Sequence, residues 1–323
     1  VSILKEQEVA RPEMDFEKSS KDTGSILCTG LTLTATLLII AILVVIIGNI
    51  AWFGFDKFSW RFITAGLEEQ MFDVERAGVL PMILGTTARV FLMTIFVLPV
   101  GVITAIYLTE YSPKHSVLTR IIRGAVNNLA GVPSIVFGLF GLGFFINFIG
   151  SNVDAIFYPG SDKVIWGKPA LLWASLTLAV MTLPVVIVAT EEALRAIPSG
   201  LREGSLALGA TKLQTIARVV MPQAMPGILT GAILAISRAA GEVAPILFTG
   251  AAVFVPSLPK ALNQEFMDLG YHVWVLTTQS PNVDKTQPLL YATVLTLLIL
   301  TFSLNLVAVL IRAKIRARMR SVH

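Results

Sequence analysis

Charge is scarce in this chain of 323 residues: only 14% are Asp, Glu, Lys or Arg, 54% are apolar, and the mean hydropathy is +0.75. A soluble domain carries about a quarter of its residues as charges, so this composition excludes a water-soluble globular class. Cysteine is nearly absent. The single Cys28 excludes an internal disulfide, and no lipidation pattern precedes it. Histidine is rare as well, and His115, His272 and His323 are scattered without metal-ligand spacing, so no metal site is expected. Nucleotide-enzyme motifs are also missing. Gly204, Gly209 and Thr211 stand at phosphate-loop spacing, but Ala210 occupies the lysine position and no strand precedes the segment. The chain is therefore expected to be neither an enzyme nor an ATP binder, and to need no cofactor. Its energy must come from a partner or a gradient.

What is present is a series of six apolar runs, at about residues 26–50, 81–108, 126–149, 169–190, 226–255 and 288–311. About 20 such residues cross a hydrocarbon core of about 30 Å as a helix. A spanning chain must satisfy its own backbone hydrogen bonds, and these runs are too long and too uniformly apolar for barrel strands. The expected fold is all-α, a polytopic six-helix membrane protein. Lys and Arg set its orientation: with both termini inside, sixteen of the 25 fall on the cytoplasmic side, and Arg89 and Arg238 lie within spans.

Residues 1–25 mix bases with six acids and lack the layout of a cleavable signal, which predicts a flexible cytoplasmic arm. The six-span domain then covers 26–311. Residues 312–323 form a basic tail, with Arg312, Lys314, Arg316, Arg318 and Arg320 suited to anionic membrane lipid and not to nucleic acid.

The polar stretch 191–225 interrupts the apolar pattern. Helix-favouring residues run to Ile197, Pro198 and Gly200 break the helix, and Leu201 to Leu208 restart a short amphipathic one. Its Leu201, Ala207 and Leu208 can face one way while Arg202, Glu203 and Ser205 face another, a shape that docks in a groove of a soluble partner or serves as a plain connector.

Inside the spans, charge itself is the signal, since an ionised side chain at mid-bilayer costs about 2.5–3.5 kcal/mol even on insertion scales. Arg238 lies twelve residues past Pro226, and Glu242 follows one turn later. At about 100° per residue they fall on one helical face with Gly231, Ala235 and Ala239, a stripe that permits close helix packing. A guanidinium fork suits a tetrahedral oxyanion, with Glu242 holding it in place; a buried pair that only fixes packing is the alternative. Arg89, eight residues into the second run, is a further candidate for the substrate pathway. Asn127, Asn128 and Ser134 offer neutral hydrogen bonds near the start of the third run, where capping and local packing explain such residues equally well.

Three motifs carry a family resemblance. Glu203-Gly204-Ser205, three residues, Gly209, nine residues and Val219-Val220-Met221-Pro222 resemble the EAA loop of binding-protein-dependent ABC importers, with conservative departures at Val219 and Met221. The run Asn127-Asn128-Leu129-Ala130-Gly131-Val132-Pro133-Ser134-Ile135-Val136-Phe137-Gly138-Leu139-Phe140-Gly141 resembles the third-span signature of phosphate permeases. Ser237-Arg238-Ala239-Ala240-Gly241-Glu242-Val243-Ala244-Pro245 is similar to their charged fifth-span motif and leans towards the PstA type.

The resemblance covers about residues 32–312. It implies a type I importer permease (MetI-like) fold in a bacterial-type plasma membrane, and half of a pathway for inorganic phosphate. It also implies a homologous PstC-type permease subunit, two copies of a cytoplasmic ATPase and an extracytoplasmic phosphate-binding protein as partners. Arg202, Glu203, Ser205, Ala207, Gly209, Ala210, Thr211 and Pro222 would contact the ATPase. The outer loops at 66–75 and 256–287, the second with an expected short helix over 262–273, would receive the binding protein. Arg89 is not part of the recognised pattern. A permease for sulfate, molybdate or phosphonate is the nearest alternative, and a gradient-driven transporter lies further off.

Overall fold

The computed structural model describes residues 23–66, 72, 75–113, 116–255 and 258–320. The expected arm up to residue 22, most of the loop at 66–75, His115 and His323 lie outside the described residues. The chain divides into two compact units, Val1–Asn49 and Ile50–His323. Helix α1 (Thr23–Gly54) supplies the described part of the first; it has no polar face, and residues 24–49 are exposed throughout.

Among the described residues, six helical stretches are long and apolar enough to span a membrane: Gly24–Gly54, Leu80–Tyr111, Ser134–Phe157, Leu171–Arg195, Lys212–Gly241 and Val283–Ala317. In the second unit a short α2 (Trp60–Thr64), capped by the Ser59 hydroxyl, precedes α3 (Leu80–Ile106), and a π-helical turn, Tyr107–Tyr111, extends α3. Next come α4 (Val117–Ala130) and the third span, built from α5 (Ser134–Phe140), a π-helical run Gly141–Gly150 and α6 (Ser151–Phe157). Helix α7 (Leu171–Arg195), the short α8 (Ser199–Ala207), α9 (Lys212–Thr215), α10 (Met221–Gly241), α11 (Leu269–Thr278) and α12 (Val283–Arg320) complete the order. The described residues form no named strand, only an isolated bridge between Ala251 and Phe266.

Helix α7 is the centre of the bundle: two thirds of its span window is buried, more than in any other span. Its Ala174, Leu178, Met181 and Val186 pack with Val90, Met93 and Val97 of α3 and with Ala235 and Ala239 of α10. Small residues let these helices meet. A Cβ on Gly231 would lie 2.6 Å from the Ala189 methyl, and one on Gly101 would lie 2.6 Å from Val186. Dispersion between closely packed backbones holds such contacts where lipid removes most of the hydrophobic drive.

Three element boundaries differ from the sequence expectation, each for a local reason. The third span starts at Ser134 and not near 126, because Pro133 lacks the N–H that would continue α4 and its ring would clash with the preceding turn; the backbone there is extended (φ −57°, ψ 139°) and α4 is split off as a separate helix. The fifth span runs Lys212–Gly241 instead of 226–255. Thr211 and Gln214 form a capping box that starts the helix early, and Glu242, extended at ψ 128°, ends it. The outer helix begins at Leu269 and not at 262, because the Asp268 carboxylate accepts from the N–H groups of Gly270 and Tyr271 and fixes the first turn there.

Between α10 and α11 the chain is irregular but not unsatisfied. Ala170, Leu171 and Leu172, at the start of α7, donate their N–H groups to the carbonyls of Thr249, Gln264 and Leu262, and Phe266 bonds Gly250. Non-helical backbone within a membrane protein persists where protein covers it, as here.

Candidate functional site

The polar groups gather at two ends of the fifth span. At one end, 191–225 resolves into the last turn of α7, the α8 hairpin and the start of the helix that becomes the fifth span. Gly209 closes the hairpin at φ +84°, a left-handed conformation that suits glycine, and Thr211 caps the helix that follows. Pro222 has no N–H to give and would clash in a regular helix; the π-helical turn Ile216–Val220 just before it absorbs the misfit. Glu203, Ala207, Gly209 and Thr211 are exposed, and Ala210 is half-buried. The same hairpin exposes the side chains of Leu201, Leu206, Leu208 and Leu213, with Leu208 91% accessible. Several large apolar side chains exposed on one short hairpin mark a surface suited to a partner.

Arg202 and Ser205 point inward instead. The Arg202 guanidinium donates to Glu110 Oε1 at 2.8 and 3.1 Å and to the carbonyls of Leu194 and Ile197 at 2.7 and 2.8 Å. It therefore ties α8 to the end of α7 and to the π-helical turn that ends α3. Ser205 shares a 2.9 Å hydrogen bond with Thr215, and Lys212 Nζ lies 4.9 Å over the Tyr111 ring. Glu110 and Tyr111, neighbours in one π turn, thus hold both sides of the hairpin. The sequence reading missed both; an acid followed by tyrosine at the end of an apolar run was the available signal.

At the other end sit Arg238 and Glu242, in the last turn of α10 and at its C-cap. The pair is in contact, Arg238 Nε to Glu242 Oε1 at 3.4 Å, and the Arg238 side chain is 45% exposed. The small-residue stripe and the charges do not share one face as expected. Gly231, Ala235 and Ala239 are buried, whereas Arg238 lies on the margin of that face, about 60° from its centre by helical rotation, and is exposed. Among the described residues, Glu242 alone bonds its guanidinium. On the same turn, Ser237 donates to Asn305 Oδ1 of α12 at 2.7 Å, which adds an intramembrane amide that the sequence reading overlooked.

Two of the three motifs of the resemblance, the third-span run and the charged fifth-span motif, touch. A Cβ on Gly138 would lie 3.0 Å from the Ala244 carbonyl oxygen and 3.2 Å from Pro245 Cα, so that glycine makes room for the chain leaving α10. Asn127 and Asn128 are exposed on α4, outside the span, and Ser134 is half-buried at the start of α5. None of the three is bonded to Arg238 or Glu242 among the described residues.

Arg89 has a different part from the expected one. It is fully buried, its Nη2 forms a 2.8 Å ion pair with Asp268, and its two terminal nitrogens donate to the carbonyls of Ala239 (2.9 Å), Glu242 (3.3 Å) and Ala240 (3.4 Å). Thr86, one turn earlier, donates to the same Asp268 carboxylate and accepts the Leu269 N–H. Only its Nε lacks a hydrogen-bond partner among the described residues, and that atom is sealed from solvent with the rest of the side chain. The signal for its partner was an acid embedded in the apolar run Phe266-Met267-Asp268-Leu269. Among the described residues no group of three or more His, Cys, Asp or Glu side chains could hold a metal ion.

Comparison with known proteins gives this geometry its context. Residues 98–321 match the family described as binding-protein-dependent transport system inner membrane component. The chain is 32% identical over 264 residues to the probable ABC transporter permease protein YqgI of Bacillus subtilis, covering 78% of this chain and 83% of that protein. Over 264 residues it is also 32% identical to the phosphate transport system permease protein PstA 1 of Mycobacterium tuberculosis, covering 81% and 78% respectively. Solved structures agree in fold: the chain from a bacterial alginate ABC transporter superposes with a TM-score of 0.61 over 90% of this chain and 98% of that one at 14% identity. One from the inward-facing MetNI methionine ABC transporter superposes at 0.53 over 74% and 94% at 21% identity. Taken with the six apolar helices and the hairpin between the fourth and fifth, these matches show that the chain is a multi-pass membrane protein of the binding-protein-dependent transport system inner membrane component family, with the type I ABC importer permease fold.

Proposed function

We propose that the chain is one of two permease subunits of an ATP-driven importer of inorganic phosphate, and that Arg238 is its anion-contacting group. The observation that carries this reading is the Arg238 side chain, 45% exposed and bonded among the described residues only to Glu242, at the end of a helix that stops within the bundle. A permanently charged planar fork with free donors on a face the chain leaves open fits a tetrahedral oxyanion. Glu242 at 3.4 Å orients the fork and keeps the local charge near neutral when no anion is present. The named phosphate permeases among the relatives, PstA 1 and the PstC of Mesorhizobium japonicum, support phosphate as the cargo and a PstC-type subunit as the partner across that open face.

In this reading the exposed hairpin of Glu203, Ala207 and Gly209 docks in one of two cytoplasmic ATPase subunits. An extracytoplasmic phosphate-binding protein meets the opposite face, and both termini lie in the cytoplasm, where most of the basic residues fall. ATP hydrolysis belongs to the ATPase. Arg202 contributes by fixing the hairpin, not by touching the partner.

Uptake of labelled phosphate into cells or vesicles carrying the whole importer tests the proposal. Arg238→Ala is expected to lower uptake by at least about tenfold, the loss of one charge-assisted contact, while the assembled complex is recovered in normal yield. Uptake that survives Arg238→Ala, or that excess sulfate competes away, overturns the reading.

A further inference from the structure

A helix that ends inside a membrane protein leaves carbonyls without intrahelical partners and the negative end of its dipole uncompensated. Helix α10 ends in this way, three residues past Arg238, and the carbonyls of Ala239, Ala240 and Glu242 are met by one side chain from another span, Arg89. The guanidinium caps the helix from nine residues inside α3, about 14 Å from the start of that helix. Its charge is balanced by Asp268, and both side chains are fully shielded from solvent.

Asp268 is itself saturated. One carboxylate oxygen accepts from Arg89 and from the Thr86 hydroxyl, each at 2.8 Å, and the other accepts from the N–H groups of Gly270 and Tyr271 in the first turn of α11. Three elements therefore converge on one ion pair: α3, the end of α10 and the start of α11. Gly85 allows the approach, since the carbonyl oxygen of Met267 occupies the place a Cβ would take.

We infer that Arg89, Asp268 and Thr86 form a positioning device that fixes the end of α10, and with it the orientation of the Arg238–Glu242 pair, without touching the transported anion. Arg89 holds the backbone carbonyl of Glu242 while the Glu242 carboxylate holds Arg238. Any shift of the Arg89 fork thus moves the Arg238 head through two bonds. The inference rests on the anion-contacting reading of Arg238 for its effect on transport. Its geometric part, the placement of residue 238, stands apart from the identity of the cargo.

The variant Arg89→Lys keeps the charge and one contact to Asp268 but cannot reach three carbonyls and a carboxylate together. In the full importer, it is expected to lower maximal phosphate uptake by about tenfold or more, because small misplacements of a binding group are costly. The half-saturating concentration of the loaded binding protein should be unchanged. Combined with Arg238→Ala, it should cause no further loss, because the two residues act as one unit.

A second readout does not depend on phosphate. In the Cys28→Ser background, labelling of Arg238→Cys by a cationic methanethiosulfonate reagent should change by about fivefold or more when Arg89→Lys is added, as expected where neighbouring sites couple. Thr86→Val, which removes only the hydroxyl, should shift labelling in the same direction by a smaller factor.

Unchanged labelling in an assembled Arg89→Lys complex overturns the inference, as do additive losses with Arg238→Ala. Failure of all three variants, Arg89→Lys, Asp268→Asn and Thr86→Val, to assemble also overturns it, by showing a purely structural ion pair. A changed labelling rate with phosphate uptake intact leaves the positioning device standing and overturns the phosphate role of Arg238.

Discussion

An imidazole sealed from solvent with neither ring nitrogen bonded resists protonation, and burial pushes His272, on α11 between the last two spans, down to about 4 from its ordinary 6.5. The unfolded chain therefore binds a proton that the folded chain refuses between those values. The fold keeps its full stability above about pH 6.5 and loses part of it as the pH falls towards 4. Thermal unfolding of the complex in detergent should show a flatter dependence between pH 7 and pH 5 in His272→Phe than in the parent; identical slopes would exclude His272 as the source. Gly209 carries a second prediction. Its φ of +84° penalises a Cβ, while the space around it is open for 4 Å, so the cost of Gly209→Ala is purely conformational, about 1–2 kcal/mol. Gly209→Asn should recover part of that loss because asparagine tolerates the left-handed region, measurable as hydrogen exchange of the hairpin amides; equal exchange in both variants would count against it. At this scale the sequence spoke clearly about which residues were unusual and less clearly about what they do. Arg89 and Arg238 are equally anomalous in an apolar run, but only the path of the chain after Gly241 shows that one is enclosed by carbonyls and Asp268 and the other left open.

The π-helical turn Tyr107–Tyr111 does at element scale what no single residue does. By widening the helix it presents Glu110 to Arg202 and Tyr111 to Lys212, gripping the hairpin on both sides. The Arg202 and Glu110 side chains are 21% and 9% exposed, so their pair is partly shielded and worth more than a surface ion pair. Arg202→Ala should therefore uncouple the importer: stimulation of ATPase activity by the loaded binding protein falls while basal hydrolysis by the ATPase continues. A double-mutant cycle with Glu110→Gln should show a coupling of about 1 kcal/mol or more, as contacting charged residues do; additive effects would mean the latch does not act as a unit. Six spans, their order and the helix-break-helix layout of the hairpin were all legible from apolar runs and from Pro198 and Gly200. The boundaries were less so. Hydropathy alone does not report that a capping box at Thr211 starts the fifth helix in a polar stretch. Nor does it report that the apolar residues 243–255 are irregular backbone packed on α5 and α7 rather than a continuing span.

At the scale of the whole molecule, the hairpin and the charged pair lie on one helical stretch. From Lys212 to Arg238 the chain is helical through α9, the π turn and α10, 27 residues whose 26 rises of about 1.5 Å span about 39 Å. A motion imposed on the hairpin is carried to Arg238 by this stretch as long as both of its ends are held, at the bottom by Glu110 and Tyr111 and at the top by Arg89. The test follows from that layout. Ala207→Cys is the better site for a cross-link to the ATPase than Thr211→Cys, because Ala207 is exposed without a bonding role whereas the Thr211 hydroxyl caps the fifth-span helix. In the Cys28→Ser background, a cross-link from Ala207→Cys to a cysteine in the ATPase cleft is expected to form and to stop uptake. In the uncross-linked complex, labelling of Arg238→Cys should differ between ATP-bound and ATP-free states. Once the hairpin is locked, that difference should disappear, because the helix transmits only the movement its docked end makes. Labelling that still responds to ATP after cross-linking would show that the two ends move independently, and a hairpin that forms no cross-link at all would remove the ATPase from this surface.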